Sequence, residues 1–184
     1  MSYNTDLMKY IAHYSSKGYE LIDVPFIVDI DVSGLTKPDF ANDIHHNNNK
    51  VYVASGEQSF LQLIKEDKLQ CNKYMCLTPC LRDEKNKDDL HYHMFMKLEL
   101  IHVLKCTENT FNALQNMYQS AIEVNCKNLP NVTWDELINP LGEYDIYSNN
   151  IEVGSYGVRE AFNIRYVYGT GIALPRHNIA KNTL

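Results

Sequence analysis

The chain has 184 residues, of which 45% are hydrophobic, and a formal net charge of −6. That length suits one domain, residues 1–184, with a real core and one ligand cleft. An excess of 23 acidic over 17 basic residues excludes a broad nucleic-acid surface, which needs clustered Lys and Arg, although a local basic patch stays open. No run reaches the roughly 18 apolar residues of a membrane span. Met1–Asp6 has neither the basic flank nor the apolar centre of a signal peptide, so a cytoplasmic location is expected. An odd number of cysteines, five, reads as free thiols. Cys71, Cys76 and Cys80, with His91 and His93 beyond, lack the paired spacing of zinc ligands.

In chain order, Leu7, Met8, Ile11 and Tyr14 fall at helical spacing and predict a helix over Thr5–Lys17, ended by Gly18. Tyr19–Ile30 is rich in β-branched and aromatic residues and reads as extended, with Pro25 marking an edge or irregular strand. His45–Lys50 is a polar turn, Val51–Ala54 a short strand and Glu57–Lys65 a helix. Lys73–Arg82 and Met94–Leu104 predict two longer strands in a hairpin, joined by the charged loop Asp83–His93. Thr110–Cys126 is a second helix that buries Phe111, Leu114, Met117, Tyr118, Ala121 and Ile122. Tyr144–Tyr147, Ile151–Ser155 and Arg165–Ile172 predict three further strands before a C-terminal helical turn. Strands joined mostly by turns, with helices to one side, imply an α+β fold on an antiparallel sheet. His13, His102 and His177 have no spaced partner and are expected to be structural.

Several residues carry candidate chemistry. Gly169 and Gly171, in Tyr168–Arg176, would let the backbone approach a ligand or relieve crowding against a neighbouring element. Arg82 and Arg176 supply two planar guanidinium forks that suit a triphosphate, one on the α-phosphate under attack and one on the departing γ-phosphate. Glu152, two positions before Gly154-Ser155, suits a Mg²⁺ ion that bridges ATP phosphates, with Asp145 as a second ligand. Exposed strand residues are the plain alternative for both carboxylates.

Three segments then resemble, in the right order, the signature motifs of class II aminoacyl-tRNA synthetases and their relatives. Lys17–Pro25 resembles motif 1, Cys80–Glu84 with Phe95–Glu99 resembles motif 2, and Tyr168–Arg176 resembles motif 3. The resemblance implies a six- or seven-stranded antiparallel sheet with flanking helices and a homodimer formed through motif 1. It also implies that Glu84 contacts the adenine amino group and that Phe95 stacks on the ring; a surface salt bridge and a core aromatic are their plain alternatives. The implied ATP-binding set is Arg82, Glu84, Phe95, Glu152, Gly169, Gly171 and Arg176. No anticodon-binding domain is expected.

Within that superfamily, Glu152–Arg159 resembles an element of ammonia-dependent asparagine synthetase, and Gly34–Asp39 resembles that enzyme's loop beside the ammonia site. By this resemblance Asp39 is a catalytic residue. Ser55 and Glu99 hold the substrate amino group, Ser155 lies in the substrate site, and Arg159 grips a substrate carboxylate. Ser55-Gly56-Glu57 also resembles the amino-group-binding loop of several tRNA synthetases, which adds Glu57 to the substrate site. Gln58 and Phe60 depart from the pattern of the asparagine synthetase, which has lysines in the helix after its serine, and this leaves the substrate's identity open. The expected function is a small-molecule ligase that activates an amino-acid carboxylate, aspartate by the resemblance, and transfers it to ammonia. A second reading keeps the adenylate and changes the acceptor to tRNA, which is not favoured, or to a protein or nucleotide. A third is a non-catalytic accessory subunit.

Overall fold

The computed structural model describes residues 3–37, 41–84, 90, 92–139 and 141–183; at positions 3, 4, 41 and 84 it describes the backbone alone. Asp39 and His91 lie outside the described residues.

Helix α1 (Tyr3–Ser16) leads into β1 (Glu20–Leu21), β2 (Ile27–Asp29) and the short α2 (Ile30–Ser33). Strands β3 (Ala41–Asn42) and β4 (Lys50–Tyr52) precede α3 (Gly56–Lys65), β5 (Lys73–Leu81), β6 (Asp83–Glu84) and β7 (Met94–Val103). Helix α4 (Thr110–Asn128) is followed by β8 (Val132–Trp134), β9 (Tyr144–Ser148), β10 (Ile151–Ala161), β11 (Ile164–Ala173) and α5 (Leu174–Asn182). Seven strands form one sheet in the order β1-β5-β7-β11-β10-β9-β8. Its ladders are antiparallel except at one edge, where β1 runs parallel to β5. The α+β expectation and the strand number agree with this sheet.

Alternation along the central strands assigns the two faces of the sheet. Leu98 and Leu100 of β7 and Val167 of β11 join Tyr10, Tyr14, Leu114, Met117 and Tyr156 in a core under α1 and α4. The intervening Ile101 and Val103, with Tyr166 and Tyr168, join Phe60, Leu61 and Val51 in a second core under α3. Residue parity therefore decides which side chains can reach a given face.

Two local expectations are corrected. Tyr19–Ile30 is not one extended segment: the chain leaves the sheet after Leu21, crosses Pro25 and re-forms as β2, which pairs with β4. Strand β10 does not stop at Ser155 but continues to Ala161 and turns through Phe162 and Asn163, both at positive φ (52° and 59°), into β11. Within β10, Gly157 makes room for Tyr168 on the neighbouring strand, whose hydroxyl lies 2.6 Å and whose ring 2.9 Å from where a Cβ would sit. β8 is absent from the sequence reading because only Val132, Thr133 and Trp134 form it.

Candidate active site

A cavity of about 280 Å³ opens on the α3 face of the sheet. Its walls come from segments far apart in the chain: Ser55 and Glu57 at the start of α3, Arg82 after β5, Phe95 and Glu99 of β7, Glu152, Ser155 and Arg159 of β10, and Arg176 of α5. Nine of the sequence-derived site residues are thus brought to one place. The lining carries Arg82, Lys97, Arg159 and Arg176 against Glu57, Glu99 and Glu152. Three arginines and a lysine on one concave wall, in a chain of net charge −6, suit an anionic ligand.

Phe95 is half-buried, lines the cavity and belongs to neither core cluster, which separates it from its core-aromatic alternative. The Arg82 guanidinium lies 5.2 Å from the Phe95 ring centroid, and Arg82 Nε donates to the Ala54 carbonyl at 3.0 Å. At the other wall, Arg176 Nη1 lies 2.9 Å from Glu152 Oε1. The Glu84 side chain lies outside the described residues.

Ser55 caps α3, accepting from the Glu57 amide at 3.2 Å, and its hydroxyl donates to Glu99 Oε2 at 2.8 Å. Lys97 Nζ lies 3.0 Å from Glu99 Oε1. Gly56 lets the start of α3 lie close against β5 and β7, since a Cβ there would come within 2.9 Å of Cys76 Sγ and of Glu99 Cβ. Gln58 is spent on the scaffold: its Oε1 accepts from the Ala54 amide at 2.7 Å and its Nε2 donates to Ser33. Phe60 is wholly buried in the second core.

Arg159 is enclosed. Nη1 donates to Glu57 Oε2 at 2.7 Å, Nη2 donates to Glu143 Oε1 at 2.8 Å, and the guanidinium covers the Tyr168 ring at 4.1 Å. Tyr166 OH donates to Glu57 Oε1 at 2.9 Å and Tyr168 OH to Glu143 Oε1. Burial pushes the Glu57 carboxyl above the usual carboxylate range, with the Arg159 charge opposing it. The Tyr168 hydroxyl and Arg159 hold the exposed Glu143 below that range. An incoming carboxylate would therefore find both outer faces of Arg159 already on carboxylates, which bears against the expected grip on a second substrate carboxylate.

Gly169 and Gly171 do not line the cavity, and of their two expected uses the packing matches relief of crowding. Gly169 shares the parity of Val167 and faces the helices: a Cβ there would run into the Tyr156 ring and come within 2.8 Å of Met117 Sδ. Gly171 sits at a register shift and a Cβ would lie 2.8 Å from Leu98 Cδ2. Thr170, between them, is the residue that lines the cavity. Lys97 and Thr170 were missed, although strand alternation from Phe95 through Glu99 points at Lys97.

Asp145 does not line the cavity but pairs across the ladder with Ser155. Its hydroxyl donor is Tyr147 at 3.2 Å, and burial, with the Glu152 charge contributing, raises its carboxyl above the ordinary range. Asp145 and Glu152, on adjacent strands, supply two carboxylates that fit a hard divalent cation taking its remaining oxygens from phosphate and water. Among the described residues, no group of three or more His, Cys, Asp and Glu could hold a metal, and Cys76 and Cys80 are buried.

No protein-family model matches the chain, and no curated protein does. Two solved structures of pyrrolysyl-tRNA synthetase from Desulfitobacterium hafniense are similar to it, each with a TM-score of 0.71. They are 15% and 16% identical to it, cover 95% and 97% of this chain, and are themselves covered over 67% and 68% of their length. The chain has a fold similar to the class II synthetase core. No described helix is long and apolar enough to cross a membrane.

Proposed function

We propose that the chain is an ATP-dependent ligase that activates an amino-acid carboxylate as an acyl-adenylate. The observation that supports it is the convergence of Arg82, Phe95, Glu152 and Arg176, drawn from four separate elements, on one cavity. In this reading the purine lies against Phe95 and Arg82 holds the α-phosphate. The substrate carboxylate oxygen attacks the α-phosphorus, the α–β bridging bond breaks, and pyrophosphate leaves with its charge held by Arg176. Glu152 and Asp145 would hold Mg²⁺, which supplies neutralising charge to the triphosphate when bound. Ser55 and Glu99 receive the substrate ammonium, since Glu99 accepts from Ser55 and Lys97 and keeps lone pairs toward the cavity.

Transfer of aspartate to ammonia is the narrower reading, with Asp39 as the residue beside ammonia. The test is incubation with ATP, Mg²⁺ and aspartate, followed by ammonium, with product analysis. Asparagine and AMP support the narrower reading, whereas hydroxylamine trapping of another amino acid's adenylate supports the ligase and removes aspartate. We also propose a homodimer through Lys17–Pro25, supported by the exposed Leu21 (49%) and Phe26 (51%) beside the β1 edge. Sedimentation of wild type and Phe26→Ser decides it: a monomer in both removes the dimer.

A further inference from the structure

The opposite edge of the sheet carries a surface that the cavity chemistry does not use. β8 ends the sheet, and no described strand lies beyond it. Its Trp134 is 49% exposed, and the segment that follows displays Ile138 (78%) and Leu141 (76%), the two most exposed large apolar side chains among the described residues. Single exposed apolar residues are ordinary, but three together beside an open strand edge are not.

These side chains project from a backbone that is tied down. Leu137 packs against the helix-side core. Tyr118 OH donates to the Asp135 carbonyl at 3.1 Å, and the Asp145 amide donates to Asp135 Oδ2 at 2.9 Å. The Tyr144 hydroxyl accepts from the Asn139 amide at 2.7 Å and donates to the Asn139 carbonyl at 2.6 Å. Glu143 is fixed by Arg159 and Tyr168. A partner would therefore meet an ordered surface and lose little entropy in ordering it.

Charge decides the kind of partner. Between Lys127 and Arg159 the chain has no Lys, Arg or His, and it carries Asp135, Glu136, Glu143, Asp145 and Glu152. Asp135, Glu136 and Glu143 are exposed in the same stretch of chain as the apolar side chains. Nucleic acid is repelled by such a rim. A second copy meeting it across a two-fold axis would bring the same carboxylates against themselves.

We propose that the β8 edge, with Trp134, Ile138 and Leu141 and the carboxylates around them, is a docking surface for a protein partner. The occupant is an extended segment that alternates basic and apolar residues and adds to the sheet as a strand, its main chain pairing with β8 and its cations meeting Asp135 and Glu136. This does not depend on the adenylation reading.

Trp134 is the only tryptophan of the chain, so intrinsic fluorescence reads this surface directly. The probe is a blocked peptide of alternating Lys and Val, compared with an alternating Glu and Val peptide and with oligothymidylate. The Lys–Val peptide is expected to shift Trp134 emission to the blue in a saturable way and to protect the Val132–Trp134 amides from hydrogen exchange. Joint substitution Ile138→Ser and Leu141→Ser, at exposed positions, should keep the thermal midpoint and weaken binding by about tenfold. The proposal is overturned by no saturable shift, by equal binding of either control probe, or by undiminished binding to the double variant. It is also overturned by a blue shift that grows with protein concentration alone, which would identify a second copy as the occupant.

Discussion

Glu152 and Arg176 close on one another across the mouth of the cavity, with Oε1 2.9 Å from Nη1. A triphosphate that takes the guanidinium strips Glu152 of its cation and leaves a carboxylate facing phosphate. Binding should therefore be strongly coupled to a divalent cation. Removing the charge separates the two effects: Glu152→Gln should bind ATP without Mg²⁺ at least as well as wild type, yet lose most of the gain that Mg²⁺ gives. Calorimetric titration of ATP with and without Mg²⁺ checks this, and an unchanged Mg²⁺ response in the variant rejects Glu152 as the metal ligand.

Gly169 is a packing residue, so its substitution should damage the fold rather than the chemistry. A Cβ pressed into the Tyr156 ring and against Met117 overpacks the helix-side core, and Gly169→Ala should lose about 1–3 kcal/mol of stability. Urea unfolding measures it. A neutral result would mean that β11 and α4 can separate there without cost, against the buried packing of both residues.

Glu143 gives a pH dependence with a definite sign. Its folded carboxyl is held below the ordinary value of 4.5, first by the Tyr168 hydroxyl and then by Arg159. Its contribution is therefore present above pH about 4.5 and is lost as pH falls through the lower folded value. Glu57 runs the other way: burial raises its carboxyl, so its contribution is greatest below 4.5 and declines as pH rises through the raised value. Glu143→Gln should lower the thermal midpoint at neutral pH and flatten the acid limb, so that its profile converges with wild type as pH falls through the lowered value. A profile identical to wild type would show that the carboxylate is not held as described.

Much of the site was legible because its chemistry is carried by residue types with few other uses. Two arginines and a carboxylate beside Gly-Ser, in an order that resembles one superfamily, led to Arg82, Arg176 and Glu152, and all three line one cavity. The glycines misled for a physical reason. A glycine in a strand reports a crowded Cβ position but not which face is crowded, and at Gly169 and Gly171 the crowding is core packing. Arg159 was recognised as a site residue, but its enclosure depends on Glu143 and Tyr168, 16 and 9 positions away, a pairing set by tertiary structure. The seven-stranded sheet agreed with expectation, while β8 was too short to give a periodic signal.

The central claim is that this cavity makes an acyl-adenylate, and amino-acid-dependent exchange of labelled pyrophosphate into ATP tests it most directly. The assay runs over the proteinogenic amino acids with Mg²⁺, in the absence and presence of total tRNA, on wild type and Arg176→Ala. The account predicts exchange with at least one amino acid, reduced by about 100-fold in the variant at an unchanged thermal midpoint, since one charged donor to a transition state contributes about 3 kcal/mol. Absence of exchange with every amino acid, with and without tRNA, or undiminished exchange in Arg176→Ala, would contradict it.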